Sequence, residues 1–142
     1  MCRRLRDACV SPRSPCRGLA PLAAAVQAVA PTEQHLTPQH VDLLQLSLLA
    51  HNYTAAMPLL EHDVFDIAPQ QTAVTAKDFA LYCLYAGMLL CALKRYARAA
   101  ELFMQALITP AHMLNAIQLA CYKKLVRGRV SMGLFTSPHR CD

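Results

Sequence analysis

The 142-residue chain has no tryptophan, only four glycines, and aromatic residues at just 6% of its length. Four scattered glycines cannot form a glycine-rich phosphate-binding loop, so nucleotide-binding motifs of that kind are excluded. No convincing strand pattern is present either. Hydrophobic residues make up 55% of the chain and alanine and leucine dominate, which favours an all-α protein.

The chain also lacks a hydrophobic run long enough to cross a membrane. The apolar run from Phe79 to Leu93 has fifteen residues without a charge, whereas a transmembrane helix needs about 20. We therefore expect a buried helix here and no membrane partner. Three of the seven cysteines, Cys83, Cys91 and Cys121, lie in apolar helical patterns, and no signal-peptide segment opens the chain. These features indicate a reducing compartment.

The net charge of +5 is concentrated at the two ends. Residues 1–17 carry +4, residues 18–126 carry −1, and residues 127–142 carry +2. Because the middle shows no basic stripe, we expect no nucleic-acid partner. The leader at 1–17 is rich in Arg, Pro, Ser and Cys and is predicted to be disordered, with a transit peptide as the alternative. The tail at 127–142 is predicted to be irregular.

Between the two ends, helices alternate with short polar breaks. Residues 18–36 are predicted to form a short helix and a linker, and residues 37–126 to form paired helices. Thr37-Pro38 and Thr109-Pro110 combine an N-cap with a first-turn proline, and His51-Asn52 is a helix stop at which Asn is the expected left-handed residue. Six helices are predicted. One begins at Thr37-Pro38, and one runs from Thr75 to Leu93 with a capping-box-like start at Thr75 and Asp78. The other four are Gly18–Ala30, Tyr53–Leu60, Tyr96–Ile108 and Ala111–Leu125.

An internal repeat relates two of these helix pairs at an offset of 43 residues. Tyr53, Ala56 and Leu60 lie over Tyr96, Ala99 and Phe103. The second copy fits the tetratricopeptide pattern, in which small residues let two helices approach and an aromatic residue fills the groove. Its matching positions are Gly87, Ala99, Phe103 and Ala106. The predicted fold is an all-α, tetratricopeptide-like α-solenoid of antiparallel helix pairs with disordered ends; a plain helical hairpin bundle is the alternative.

Residues with catalytic or metal-binding chemistry form no recognisable site. The acidic and histidine cluster comprises Glu61, His62, Asp63 and Asp66, which is typical of a solvated helix end and lacks calcium-loop spacing. Cys2, Cys9 and Cys16 recur every seven residues, which is the wrong spacing for zinc, and His139 and Cys141 form a lone pair. His40 and His51 are eleven residues apart and are expected to share a helix face as a partner surface or core edge. We predict no catalytic, cofactor-binding or metal-binding residues.

Two segments resemble the helical-repeat region of the COP9 signalosome subunit 3 family. They are LTPQHVDLLQLSLLAHNYTAAMPLLEHDVFDI, at 36–67, and AKDFALYCLYAGMLLCALKRYARAAELFMQALITPA, at 76–111; the block that ends in Tyr122-Lys123-Lys124 continues the resemblance. The resemblance covers roughly residues 18–125. It implies an α-solenoid arm that a winged-helix PCI module follows, in an eight-subunit complex that removes NEDD8 from cullins. The chemistry there belongs to a zinc metalloprotease subunit.

The resemblance implies a non-catalytic scaffold in the cytoplasm and nucleus whose partners are other subunits of the complex, with no small-molecule substrate and no cofactor. The leader and the tail depart from the family pattern and no PCI module follows, so we expect a partial chain with ends from a truncated or mis-spliced gene model. The last predicted helix should be adhesive through Met113, Leu114, Ile117 and Leu119, so aggregation or dimerisation is expected. The alternatives are a subunit of a related PCI complex (the proteasome lid or a translation initiation complex) and a hydrolase that uses the cluster near Glu61.

Overall fold

A computed structural model of the chain describes residues 16–29, 36–61, 74–110 and 116–131, together with residues 4, 7 and 8. The described residues form helices and turns and contain no strand, which confirms the all-α prediction. The helices are α1 (Cys16–Val29), α2 (Pro38–Leu49), a 3-10 turn (Tyr53–Ala56) that leads into α3 (Met57–Glu61), α4 (Ala76–Ala92), α5 (Tyr96–Ile108) and α6 (Ala116–Ser131).

The helices stack in the order expected of a solenoid. Contacts join α1 to α2, α2 to α4, and α4 to α6, while α5 packs against both α4 and α6. The main core runs through this stack, and a smaller cluster of Leu19, Leu22 and Val26 fixes α1 against Leu43 and Leu46 of α2. Helix α4 is the central element, because it contacts α2, α5 and α6.

The turns after α2 and α4 have the same backbone conformation. His51 and Lys94 both adopt the left-handed region, with φ of 53° and 61°. They are 43 residues apart, which is the offset of the repeat. The sequence pattern predicted the left-handed residue at Asn52, but Asn52 has a φ of −102°. The left-handed residue is His51, one position earlier.

The hydrogen bonds that close these two turns are duplicated as well. The N–H of Asn52 donates to the carbonyl of Ser47 at 3.1 Å, and the N–H of Arg95 donates to the carbonyl of Leu90 at 2.8 Å. A bond of this kind across five residues is the hallmark of a Schellman helix end, which satisfies carbonyls that the last turn leaves free. The internal repeat is therefore present in the backbone and not only in the side-chain pattern.

The second helix pair crosses at Gly87 and Phe103. Phe103 is 1% exposed, and its ring lies so close to Gly87 that a Cβ there would come within 2.5 Å of Cε1 and 2.8 Å of Cζ. In the first copy of the repeat, Leu44 and Leu60 occupy these two positions, and both are buried in the same core. The first copy thus has two medium side chains where the second has glycine and a large aromatic ring.

Side chains cap the starts of α2 and α4 in the predicted places. At α4, the N–H and the hydroxyl of Thr75 donate to the Asp78 carboxylate at 3.1 and 2.7 Å. The N–H of Asp78 donates to the Thr75 hydroxyl oxygen at 3.2 Å. At α2, the Thr37 N–H donates to Nδ1 of His40 at 3.1 Å, and the Thr37 hydroxyl lies 2.7 Å from the same nitrogen. His40 therefore takes the position and role that Glu or Gln has in a capping box.

Two helix boundaries differ from their predictions. The segment from Tyr53 begins as a 3-10 turn and becomes α-helical only at Met57, so Pro58 lies in the first turn of α3, where its missing N–H costs least. Helix α6 continues to Ser131, past the boundary placed at residue 126, because Gly128 weakens a helix only modestly. The segment at 111–115, where the last helix was predicted to begin, lies outside the described residues.

Substituting Gly87 by alanine should destabilise the chain by about 1–2 kcal/mol, because the clash with Phe103 outweighs the gain in helix propensity. Gly128 is the matched control, since a Cβ there meets nothing within 4 Å. Gly128→Ala should therefore stabilise by about 0.5–1 kcal/mol. Denaturant unfolding measures both, and Phe103→Leu should relieve part of the Gly87→Ala penalty. Equal effects of the two glycine substitutions would contradict the crossing geometry.

The free energy of unfolding should fall as the pH is lowered below 6.5, because His40 is buried in its neutral form. Burial lowers the pKa of its imidazole from 6.5 to about 4. Between these values the unfolded chain binds the proton and the folded chain does not, so acidification favours unfolding by up to about 3 kcal/mol. His40→Gln keeps an acceptor for Thr37 but does not titrate, so its stability should depend less on pH in this window. A wild-type slope that persists in His40→Gln would contradict this role of His40.

Candidate interaction surface

The acidic and histidine cluster near the end of α3 is only partly described. Glu61 is exposed at the last residue of α3, and His62, Asp63 and Asp66 lie outside the described residues. Among the described residues, no group of three or more His, Cys, Asp or Glu side chains is placed to hold a metal ion. None of the helices in this part of the chain has the length and hydrophobicity of a membrane-spanning segment.

The expectation that His40 and His51 share a helix face is wrong. His40 is buried at the start of α2, where its Nδ1 accepts the Thr37 N–H and must therefore be unprotonated. His51 lies beyond the end of α2 in the left-handed turn, is exposed, and has its Nδ1 3.1 Å from the hydroxyl of Tyr53. One histidine caps a helix and the other lies at the surface, so they form no joint site.

The described cysteines are packing residues or exposed thiols without partners for catalysis. Cys83 and Cys121 are fully buried, and burial raises their pKa values to about 12 and about 11. Their thiols stay protonated at neutral pH and are poor nucleophiles and poor metal ligands. Cys16 is exposed. Cys2, Cys9 and the pair His139 and Cys141 lie outside the described residues.

A groove between α2 and α4 has polar and charged side chains in its lining. Asp42, Lys77, Asp78 and Tyr85 line it. The Asp78 carboxylate already accepts hydrogen bonds from the backbone and hydroxyl of Thr75. This carboxylate holds the start of α4 and is not presented as a general base.

Charge is segregated along the sequence, and the net charge of the middle region does not reveal this. Residues 79–131 contain seven Lys or Arg and only one acidic residue, Glu101, whereas six of the seven acids of the middle region lie between residues 33 and 78. The near-zero charge of residues 18–126 conceals this separation, because opposite halves of the region cancel in the sum.

The fold brings Lys124 of α6 to the end of the stack at which the α4–α5 turn lies. The end of α4, the start of α5 and the end of α6 meet at a narrow cleft that includes Cys91, Tyr96, Lys124 and Gly128. Burial raises the pKa of the Cys91 thiol, and the nearby Lys124 ammonium opposes that shift, in agreement with their closeness. The basic residues next to this cleft, in sequence, are Lys94, Arg95, Arg98, Lys123, Lys124 and Arg127.

Helix α6 presents an apolar row to solvent. Leu119, Tyr122 and Val126 are 49%, 56% and 36% exposed. Their spacing of three and four residues places them on one face, next to the side that buries Cys121 and Leu125. We call Leu119, Tyr122 and Val126 the outer row of α6. Large apolar side chains that stay exposed side by side on one helix face are typical of a surface that binds another helix or a partner protein.

The predicted adhesive residues of the last helix coincide with this row at one position. Leu119 is exposed, as expected. Ile117 is partly buried and packs against the core, so the prediction that it is adhesive was wrong. Met113 and Leu114 lie outside the described residues. Sequence analysis missed Tyr122 and Val126 because the core-facing side of α6 depends on how α5 and α6 are joined. Gln118 fixes that junction by donating from Nε2 to the carbonyl of Thr109 at 3.2 Å.

Comparison with known proteins supplies a family for this arrangement. The family described as COP9 signalosome complex subunit 3, N-terminal helical repeats, matches residues 1–132. The match extends beyond the resemblance seen in the sequence at both ends, and it includes the leader at 1–17 that was expected to depart from the family.

Curated relatives agree with the family match. COP9 signalosome complex subunit 3 of Arabidopsis thaliana is 36% identical over 126 residues, which cover 89% of this chain and 28% of the plant protein. The protein of the same name from Dictyostelium discoideum is 38% identical over 115 residues, which cover 79% of this chain and 27% of that protein. The chain spans about a quarter of the length of these relatives.

The cysteines should separate sharply in their reactivity toward iodoacetamide at pH 8. Cys16 should be alkylated quickly in the folded chain, whereas Cys83 and Cys121 should stay unmodified because burial excludes the reagent and keeps the thiols protonated. Peptide mass mapping after timed quenching measures this, and labelling in denaturant provides the reference for full modification. Alkylation of Cys83 as fast as Cys16 would contradict its place in the core.

Proposed function

The chain belongs to the COP9 signalosome complex subunit 3 family, and from this premise we propose that it is a non-catalytic scaffold that binds other subunits of the signalosome. The complex removes NEDD8 from cullins, and in this proposal the chain contributes binding surfaces while a metalloprotease subunit supplies the chemistry. Its site of action is the cytoplasm and nucleus, where cullin-based ubiquitin ligases are regulated.

The uncovered outer row of α6 is the observation that carries this proposal. In a solenoid each helix pair buries one side against its predecessor and offers the other to its successor or to a partner. Helix α6 follows this rule, since Cys121 and Leu125 pack inward while Leu119, Tyr122 and Val126 face solvent. This arrangement suits a protein that works by stacking and docking.

The alternatives receive less support. The family and the two relatives carry the name of a signalosome subunit, and this does not favour a subunit of the proteasome lid or of a translation initiation complex. A hydrolase that uses the cluster near Glu61 has no support in the described residues, because Glu61 is exposed and its neighbours His62 and Asp63 are not described.

Affinity purification of the tagged 142-residue chain from cells, followed by mass spectrometry, should recover signalosome subunits. Binding requires the folded helix pairs, so Gly87→Ala should reduce the yield of these subunits severalfold. Gly128→Ala, which adds the same methyl group at an unobstructed position, should retain it. Recovery of proteasome-lid or initiation-complex subunits instead, or of no complex subunits at all, would refute the proposal.

A further inference from the structure

Two neighbouring rows of side chains run along the solvent face of α6. One is the outer row, Leu119, Tyr122 and Val126, and the other is Lys123 and Arg127. Lys123 and Arg127 are both exposed. Lys123 lies four residues after Leu119 and three before Val126, and Arg127 lies four residues after Lys123, so the basic pair flanks the apolar row along one side. The surface therefore has an apolar strip with positive charge along one edge.

Acidic residues are few in the described helices around this positive edge. Helix α6 contains no acidic residue in its 16 positions. The one acidic residue of 79–131, Glu101, lies on α5 with its carboxylate 3.8 Å from the guanidinium of Arg98. Basic residues of the α4–α5 turn, Lys94 and Arg95, lie at the same end of the stack as the end of α6.

We propose that this face of α6 docks an amphipathic helix of a partner protein that carries acidic residues beside its own apolar row. The inference rests on the proposed scaffold function and specifies the chemistry of one partner. The outer row spans about 10 Å along the axis, which matches about two turns of a helix packed alongside it. Acidic residues on the partner's flank would pair with Lys123 and Arg127 and set its direction.

A second copy of the chain fits this surface less well. It would bring another α6 with the same basic pair and no acidic residue, so like charges would face each other. Nucleic acid also fits less well. Phosphates would use the basic residues but would leave Leu119 and Val126 in water, since aliphatic side chains have no role in phosphate binding.

The direct test is a pair of designed helical peptides of about three heptads, each with the same leucine row. One peptide carries glutamate along the flanks and the other carries lysine. Fluorescence anisotropy with the full 142-residue chain should show that the glutamate peptide binds at least tenfold more tightly. Its affinity should weaken with added salt, because the flanking pairs are exposed to screening.

Variants of the chain locate the binding surface. Tyr122→Ser should weaken binding of the glutamate peptide at least tenfold, and Lys123→Glu with Arg127→Glu should reverse the preference in favour of the lysine peptide. That reversal also shows that the variant is folded. Two matched controls should bind as the wild type does: Ile108→Ser, at an apolar position 75% exposed on α5, and Lys77→Glu, at an exposed lysine of α4.

Several outcomes would overturn the inference. They are equal binding of the two peptides, binding unaffected by Tyr122→Ser, displacement of the peptide by duplex DNA or RNA at lower concentration, and a dimer in light scattering that Tyr122→Ser dissolves. Failure here is distinct from failure of the scaffold function. Signalosome subunits that co-purify with a chain unable to bind the glutamate peptide would refute only the acidic-helix inference. Peptide binding without any co-purifying subunit would refute the scaffold function.

Discussion

The contact of the Phe103 ring with the backbone of Gly87 sets the distance between α4 and α5, and the rest of the stack is built on that pair. Helix α4 also packs on α2 and α6, and α5 packs on α6. The position of every later element therefore depends on how closely α4 and α5 approach. Glycine is required at this crossing because the ring occupies the space where any Cβ would lie.

The first helix pair meets the same constraint in another way. Its turn has the same left-handed residue and the same closing hydrogen bond, but Leu44 and Leu60 share the volume that Phe103 fills alone in the second pair. Cores accept such exchanges when total volume and patterning are kept. The conserved feature of the repeat is therefore the turn and the buried positions, while the side chains at the crossing vary.

Local signals in the sequence predicted much of this fold, and features that depend on packing were missed. The caps at Thr75 and Asp78, the repeat offset and the small residue at position 87 follow from short-range chemistry that a sequence displays directly. The position of the left-handed residue did not follow from such local signals. His51 and Lys94, which are related by the 43-residue repeat, adopt this conformation against the usual preference for Asn. The charge segregation was hidden because the opposite charges of the two halves of residues 18–126 cancel in the sum.

The candidate interaction surface is a consequence of the same packing. The inward side of α6 is fixed by the buried Cys121 and Leu125 and by the hydrogen bond from Gln118 to the end of α5. With that side fixed, the spacing of the helix leaves Leu119, Tyr122 and Val126 no place in the core. A rigid helix that holds an apolar row and a basic pair in register loses little conformational freedom when a partner binds. The close approach at Gly87 therefore contributes to binding as well as to stability, because it determines where α6 and its outer row lie.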